Sequence, residues 1–120
     1  MQTGFIGTPF ICQVLSENGE HKLATQIFLN EDFPSWLYEV NLGATTIWER
    51  WNSVLPDGSM NPEGMNSLNH YSIGAIMQWV YQQVLGLRKQ TKGYQNVLFA
   101  PQFDYRFKRF PVTTTVHTVT

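Results

Sequence analysis

The sequence predicts a mainly α chain that closes on a few C-terminal β-strands. Three observations carry this: helix start and stop signals at Thr8-Pro9, Gly19 and Gly43; an apolar run at helical spacing from Ile73 to Leu87; and a β-branched, aromatic texture after Gly93. Thr8 followed by Pro9 reads as a helix start, because the hydroxyl accepts from free backbone N–H groups and proline in the first turn gives up none that were needed. Gly19 supplies the stop. Between them Phe10, Ile11, Val14 and Leu15 share one face. A second helix follows over Glu20–Leu29, with Leu23, Ala24, Ile27 and Phe28 inward and Glu20, Lys22 and Gln26 outward. The one-glycine connection makes the pair an antiparallel hairpin.

Asp32, Phe33 and Pro34 open a third, shorter helix that turns Trp36, Leu37 and Val40 inward and ends near Gly43. Residues 44–51 stay open between two readings. Thr45, Thr46, Ile47 and Trp48 favour extended backbone, whereas Glu49 and Arg50 allow a helical turn. Residues 52–66 hold Pro56, Asp57, Gly58, Pro62 and Gly64, a turn-rich loop of the kind that borders sites. Asn66 or Ser67 caps the longest helix, which runs to about Leu87 with Ile73, Ile76, Met77, Val80, Val84 and Leu87 down one side. Arg88 to Gly93 is a basic, turn-prone stretch. Tyr94–Ala100 and Val112–Val119 then read as strands, with Pro101 and Pro111 as breaks. The division expected is a helical part over 1–88 and the start of a β unit over 89–120.

The chain has 120 residues, of which 42% are apolar and 14% aromatic, enough to build a core. Eight basic against nine acidic residues give a net charge of -1, so a nucleic-acid partner is not expected, since phosphate binding needs a basic surplus. Only 14% of residues are charged, well under the usual quarter, beside four Trp, five Tyr and eight Phe. Part of that aromatic surface should meet a sugar, a partner chain or another domain. The apolar run from Ile73 to Leu87 is interrupted by Gln78, Gln82 and Gln83 and is too short to span a bilayer. Cys12 stands alone in an apolar run, which predicts a buried thiol and leaves no intrachain disulfide. No metal or cofactor is expected, because no His or carboxylate pair stands at ligand spacing.

The densest chemistry lies in Gly43-Ala44-Thr45-Thr46-Ile47-Trp48-Glu49-Arg50-Trp51, where a carboxylate sits between two indoles and beside a guanidinium. Indole faces stack on the C–H face of a pyranose while a carboxylate handles a hydroxyl or a water. The same spacing fits a plainer arrangement, with Trp48 and Trp51 in the core and Glu49 and Arg50 in solvent. A second cluster, Gly64-Met65-Asn66-Ser67-Leu68-Asn69-His70-Tyr71, gathers neutral donors suited to hydroxyl groups. His70 there is either a ligand group or a structural one.

Those two blocks, together with Thr3-Gly4-Phe5-Ile6-Gly7-Thr8-Pro9, Leu15-Ser16-Glu17-Asn18-Gly19 and Pro34-Ser35-Trp36-Leu37-Tyr38, closely resemble, in the same order, the end of the catalytic domain of bacterial α-L-rhamnosidases. The resemblance covers residues 3–87, and the tail from Tyr94 to Gln102 is similar to the start of the β-sandwich that follows. It implies about four helices of an (α/α)6 toroid, no cofactor, and inverting hydrolysis of terminal α-L-rhamnosyl groups. It also implies that Glu49 is the general base, that Trp48 and Trp51 line the pocket, and that His70 contacts rhamnose hydroxyls. Whole enzymes of the family are several times longer, and their general acid belongs to helices upstream of these motifs. Glu17, Glu20, Glu31, Asp32, Glu39, Asp57, Glu63 and Asp104 match no such motif. The expectation is therefore a C-terminal fragment that keeps the base, lacks the acid and is inactive alone. The alternative is a sugar-binding or self-associating helical module, with homodimerisation through uncovered apolar surface.

Overall fold

The computed structural model describes residues 3–107 and divides between Met77 and Gln78 into two compact units. In the first, α1 (Gly4–Glu17) and α2 (His21–Phe28) form the expected antiparallel hairpin, followed by α3 (Trp36–Asn41) and a 3-10 turn at Ser72–Ala75. A short α4 (Ile76–Trp79) leads into a π-helical turn over Val80–Val84. The second unit continues with β1 (Leu87–Lys89) and β2 (Val97–Phe99), which pair antiparallel with Leu87 opposite Phe99 and Lys89 opposite Val97. The expected mainly helical class with a short β segment is met. The strand read over Val112–Val119 lies outside the described residues.

The stops form by the chemistry that the glycines signalled. At the end of α3 the Ala44 N–H donates to the Glu39 carbonyl (3.0 Å) and the Gly43 N–H to that of Val40 (2.9 Å), a turn that needs the left-handed φ of +89° found at Gly43. Glu20 and Gly19 make the equivalent pair of bonds to Leu15 (2.8 Å) and Ser16 (3.3 Å) behind α1. Ser35 opens α3, its hydroxyl accepting from the Tyr38 N–H at 3.1 Å.

Several expectations are corrected. Helix α1 starts at Gly4, one turn before Thr8, and Pro9 lies inside it. Thr8 is no cap: it is buried and its hydroxyl bonds that of Thr3 at 2.8 Å. The face of α1 is also different, since Thr8, Cys12 and Ser16 are buried while Phe10 and Val14 are exposed. Small side chains let the two helices of the hairpin approach closely, and the Cys12 thiol reaches the Ala24 carbonyl at 3.6 Å. Cys12 is fully buried as expected, and burial pushes its thiol up to about 12, which keeps it unreactive. On α3 the inward residues are Trp36 and Glu39, with Val40 exposed.

A further correction is the long helix, which begins at Ser72 and not at Asn66 or Ser67. Residues 67–70 are taken by long-range bonds: the Glu49 N–H donates to the Ser67 carbonyl and the His70 N–H to that of Ile47, both at 2.8 Å. Arg88, read as part of a turn, lies in β1. Its guanidinium donates to the Gln82 carbonyl (3.0 Å) and to Gln83 Oε1 (2.6 Å), which also accepts from Gln102 (3.0 Å). Only glycine fits at position 86, because a Cβ there would stand 2.1 Å from the Ala100 carbonyl carbon.

Candidate active site

The open question over residues 44–51 is answered by pairing: the segment is neither helix nor regular strand, and it is laced to 67–70. Besides the two backbone bonds, the Thr46 hydroxyl donates to the Leu68 carbonyl, and Glu49 Oε2 accepts the Ser67 N–H at 3.1 Å. Both clusters singled out in the sequence are thus brought side by side.

Glu49 and Trp51 line one cleft of about 290 Å³, together with Gly4, Phe5, Thr8, Phe33, Arg50, Asn52 and Ile73. Glu49 is half-buried in its wall. Trp51 stands edge-on to Trp36 at 5.2 Å and 90°, so a buried indole braces a half-buried one. Trp48 does not line this cleft; it is 4% exposed and belongs to the core. His70 stacks with Phe5 (5.5 Å) and with Tyr71 (5.2 Å). Its Nδ1 accepts the Ser72 N–H at 3.3 Å, which places the proton of a neutral ring on Nε2 and makes that nitrogen a donor. Phe5 joins His70 to the cleft, since it stacks on the imidazole and lines the wall.

Arg50 turns away from Glu49. Its guanidinium pairs with Glu63 at 2.6 Å and donates to the Gly64 carbonyl at 3.1 Å, closing the 52–66 loop. That loop is compact, with a bridge between Val54 and Met60, and buried Asn61 donates to the Asn52 carbonyl at 3.2 Å. Neither acid on it is placed to give a proton in the cleft. Glu63 is spent on Arg50, and Asp57 accepts from the Ser59 hydroxyl (2.6 Å) and N–H (2.9 Å), which hold its carboxyl below the usual range. No group of three His, Cys, Asp or Glu stands together for a metal among the described residues. No helix among them is long and apolar enough to cross a membrane.

The residues that sequence reasoning missed are Phe5 and Phe33, which face the cleft from the start of α1 and from the turn before α3. Glu39 was also passed over. It is 1% exposed, its Oε2 accepts the Trp48 N–H at 3.3 Å, and burial pushes its carboxyl up to about 8 against the lowering effect of that bond. Its inward place was legible only as the position one turn after Trp36.

Residues 1–84 match the family model of the bacterial alpha-L-rhamnosidase 6 hairpin glycosidase domain. The chain is similar to an alpha-L-rhamnosidase of Alteromonas sp. (strain LOR), 46% identical over 102 residues, covering 85% of this chain and 11% of the relative. It is likewise similar to one of Formosa agariphila, 48% identical over 101 residues, covering 84% and 11%. Among solved structures it superposes on the Streptomyces avermitilis alpha-L-rhamnosidase complexed with L-rhamnose with a TM-score of 0.78, at 39% identity over 85% of this chain and 10% of that one. The native enzyme of Aspergillus terreus gives 0.76 at 39% identity, over 81% and 11%. The chain therefore spans about a tenth of the length of these relatives.

Proposed function

The chain belongs to the bacterial α-L-rhamnosidase family, matching its six-hairpin glycosidase domain, and from that premise we propose that it carries the base side of a rhamnoside-hydrolysing site. Glu49 is the general base. With Oε2 held by the Ser67 N–H, Oε1 is left to take a proton from a water in the cleft. That water attacks the anomeric carbon of a terminal α-L-rhamnosyl group from the face opposite the leaving oxygen, so the configuration inverts. Trp51 offers its ring to the sugar's C–H face, and His70 Nε2 donates to a hydroxyl. Trp48, buried, supports the segment and does not touch sugar. The observation that carries this reading is the shared cleft of Glu49 and Trp51, braced by Ser67 and Trp36, in a chain of this family.

Inversion also needs an acid roughly 6.5 to 9.5 Å from the base, with a raised pKa, to protonate the leaving oxygen. Glu63 and Asp57 do not fill that role, and Glu39 is buried, bonded to the Trp48 N–H and absent from the cleft lining. The chain by itself is therefore expected not to hydrolyse an alkyl or disaccharide rhamnoside, since loss of general acid catalysis alone typically costs a factor of ~10² to 10⁴. Rhamnose release is the readout. Turnover that disappears in Glu49→Gln would show that the chain has an acid of its own.

A second reading is favoured by the outward stripe of α1, where Ile6 (87% exposed), Phe10 (63%) and Val14 form an apolar row. In it the chain is a helical module that pairs with another copy through this face. The two readings differ in what rhamnose does to Trp51, which responds only if a sugar pocket is present.

A further inference from the structure

We propose that Glu39 is the positioning residue of the candidate base: from behind the cleft it fixes both ends of the 44–48 segment and so sets where the Glu49 carboxylate stands. The inward face of α3 presents Trp36 and then Glu39, the one acidic side chain buried among the described residues. Glu39 holds the segment twice. Its carbonyl accepts the Ala44 N–H at 3.0 Å where the segment begins, and its side-chain Oε2 accepts the Trp48 N–H at 3.3 Å where the segment ends. The next residue is Glu49, whose N–H and Oε2 are both engaged by Ser67. The base thus stands between an anchor on α3 and an anchor on the 67–70 segment, with no free backbone link between them.

The other oxygen, Oε1, is buried without a partner. A carboxyl in such a place costs stability relative to an apolar side chain, because burying a polar group without its hydrogen bonds is unfavourable. Stability alone does not account for the residue, whereas an acceptor for the Trp48 N–H does. An aliphatic residue at this position would leave that amide buried and unpaired, and the segment would relax toward other partners. Glutamine supplies the same acceptor.

The importance of this placement for chemistry rests on Glu49 being the base, but the placement is testable without turnover. In the folded chain, amide hydrogen exchange at Trp48 and Glu49 is expected to accelerate on the order of tenfold or more in Glu39→Ala, because the Trp48 N–H loses its acceptor and Glu49, still bonded to Ser67, loses the fixed residue before it. The amides of Cys12 and Ala24 in the hairpin should keep their wild-type rates. Glu39→Gln is expected to restore protection at Trp48 and Glu49 to within about twofold of wild type, since its amide oxygen accepts the same bond. Unchanged exchange in Glu39→Ala, equal acceleration at every amide, or failure of Glu39→Gln to protect Trp48 would each overturn the proposal. Should Glu39→Ala not fold, Glu39→Gln decides alone by whether Trp48 stays protected. None of these outcomes bears on rhamnose recognition, so failure here is distinct from failure of the rhamnosidase reading.

Discussion

Trp36→Ala is expected to abolish the cooperative unfolding of residues 3–77. Trp36 is 4% exposed, its indole N–H donates to the Ile73 carbonyl at 2.9 Å, and its ring braces both Trp51 (5.2 Å) and Phe28 (6.0 Å). Truncating a buried tryptophan costs ~3 to 5 kcal/mol. The Ile73 carbonyl loses this bond as well and keeps only the backbone N–H at the end of the 3-10 turn, a further ~0.5 to 1.5 kcal/mol. Against a total stability of ~5 to 15 kcal/mol for a domain, that sum removes most or all of the margin. Trp36→Phe keeps much of the volume and loses only the bond, so it should unfold at an intermediate urea concentration. Near-ultraviolet circular dichroism through a urea titration reads both. A wild-type midpoint in Trp36→Ala would mean that the α3 to Ile73 contact is not what holds the site's back wall.

A second large effect is expected from alkali. Burial raises the Glu39 carboxyl from 4.5 to about 8, so the folded chain keeps a proton that the unfolded chain has released across that interval. Stability contributed by this group is full below pH 4.5, falls as pH rises toward 8 and levels off above it. At ~1.4 kcal/mol per unit the loss amounts to a few kcal/mol. Glu39→Gln cannot ionise, and its stability should therefore be flat over the same range and exceed wild type at the alkaline end. Urea midpoints of both proteins at the two ends of the interval measure the difference. Parallel curves would place the Glu39 carboxyl in an ordinary, solvated setting.

These expectations rest on features that were unevenly legible from residues alone. Gly19 and Gly43 marked their helix ends correctly because a left-handed turn after a helix has a local chemical cause, carried by the glycine itself. The hairpin followed from the same signal. Thr8-Pro9 misled because proline is compatible with a helix start without requiring one, and the turn from Gly4 to Gly7 adds onto it. Hydrophobic periodicity chose the wrong face of α1 for a different reason. Close helix contact selects small residues, so Thr8, Cys12 and Ser16 went inward and the larger Phe10 and Val14 were left outside. The segment 67–70 was misread as helix because its partners, Ile47 and Glu49, lie some twenty residues away. Tertiary pairing of that kind leaves no local mark.

The candidate cleft was legible in outline. Indoles around an acid marked Glu49 and Trp51 as chemistry-bearing, and the fold puts them on one cleft. The same pattern did not separate Trp51 from Trp48, because three positions apart in a segment without helical or strand geometry says nothing about facing direction. Nor did it show Glu39, whose meaning comes from Trp48 meeting it across the end of α3.

Whether these 120 residues hold a rhamnose-reading surface is decided by titrating L-rhamnose into the isotopically labelled chain, with D-mannose as the comparison sugar. Saturable shifts are expected at the Trp51 indole and at the amides of Glu49, Ser67 and His70, with the buried Trp48 indole unmoved and L-rhamnose preferred. No shift at Trp51 through tens of millimolar L-rhamnose, or equal shifts with both sugars, would contradict a sugar site in this cleft.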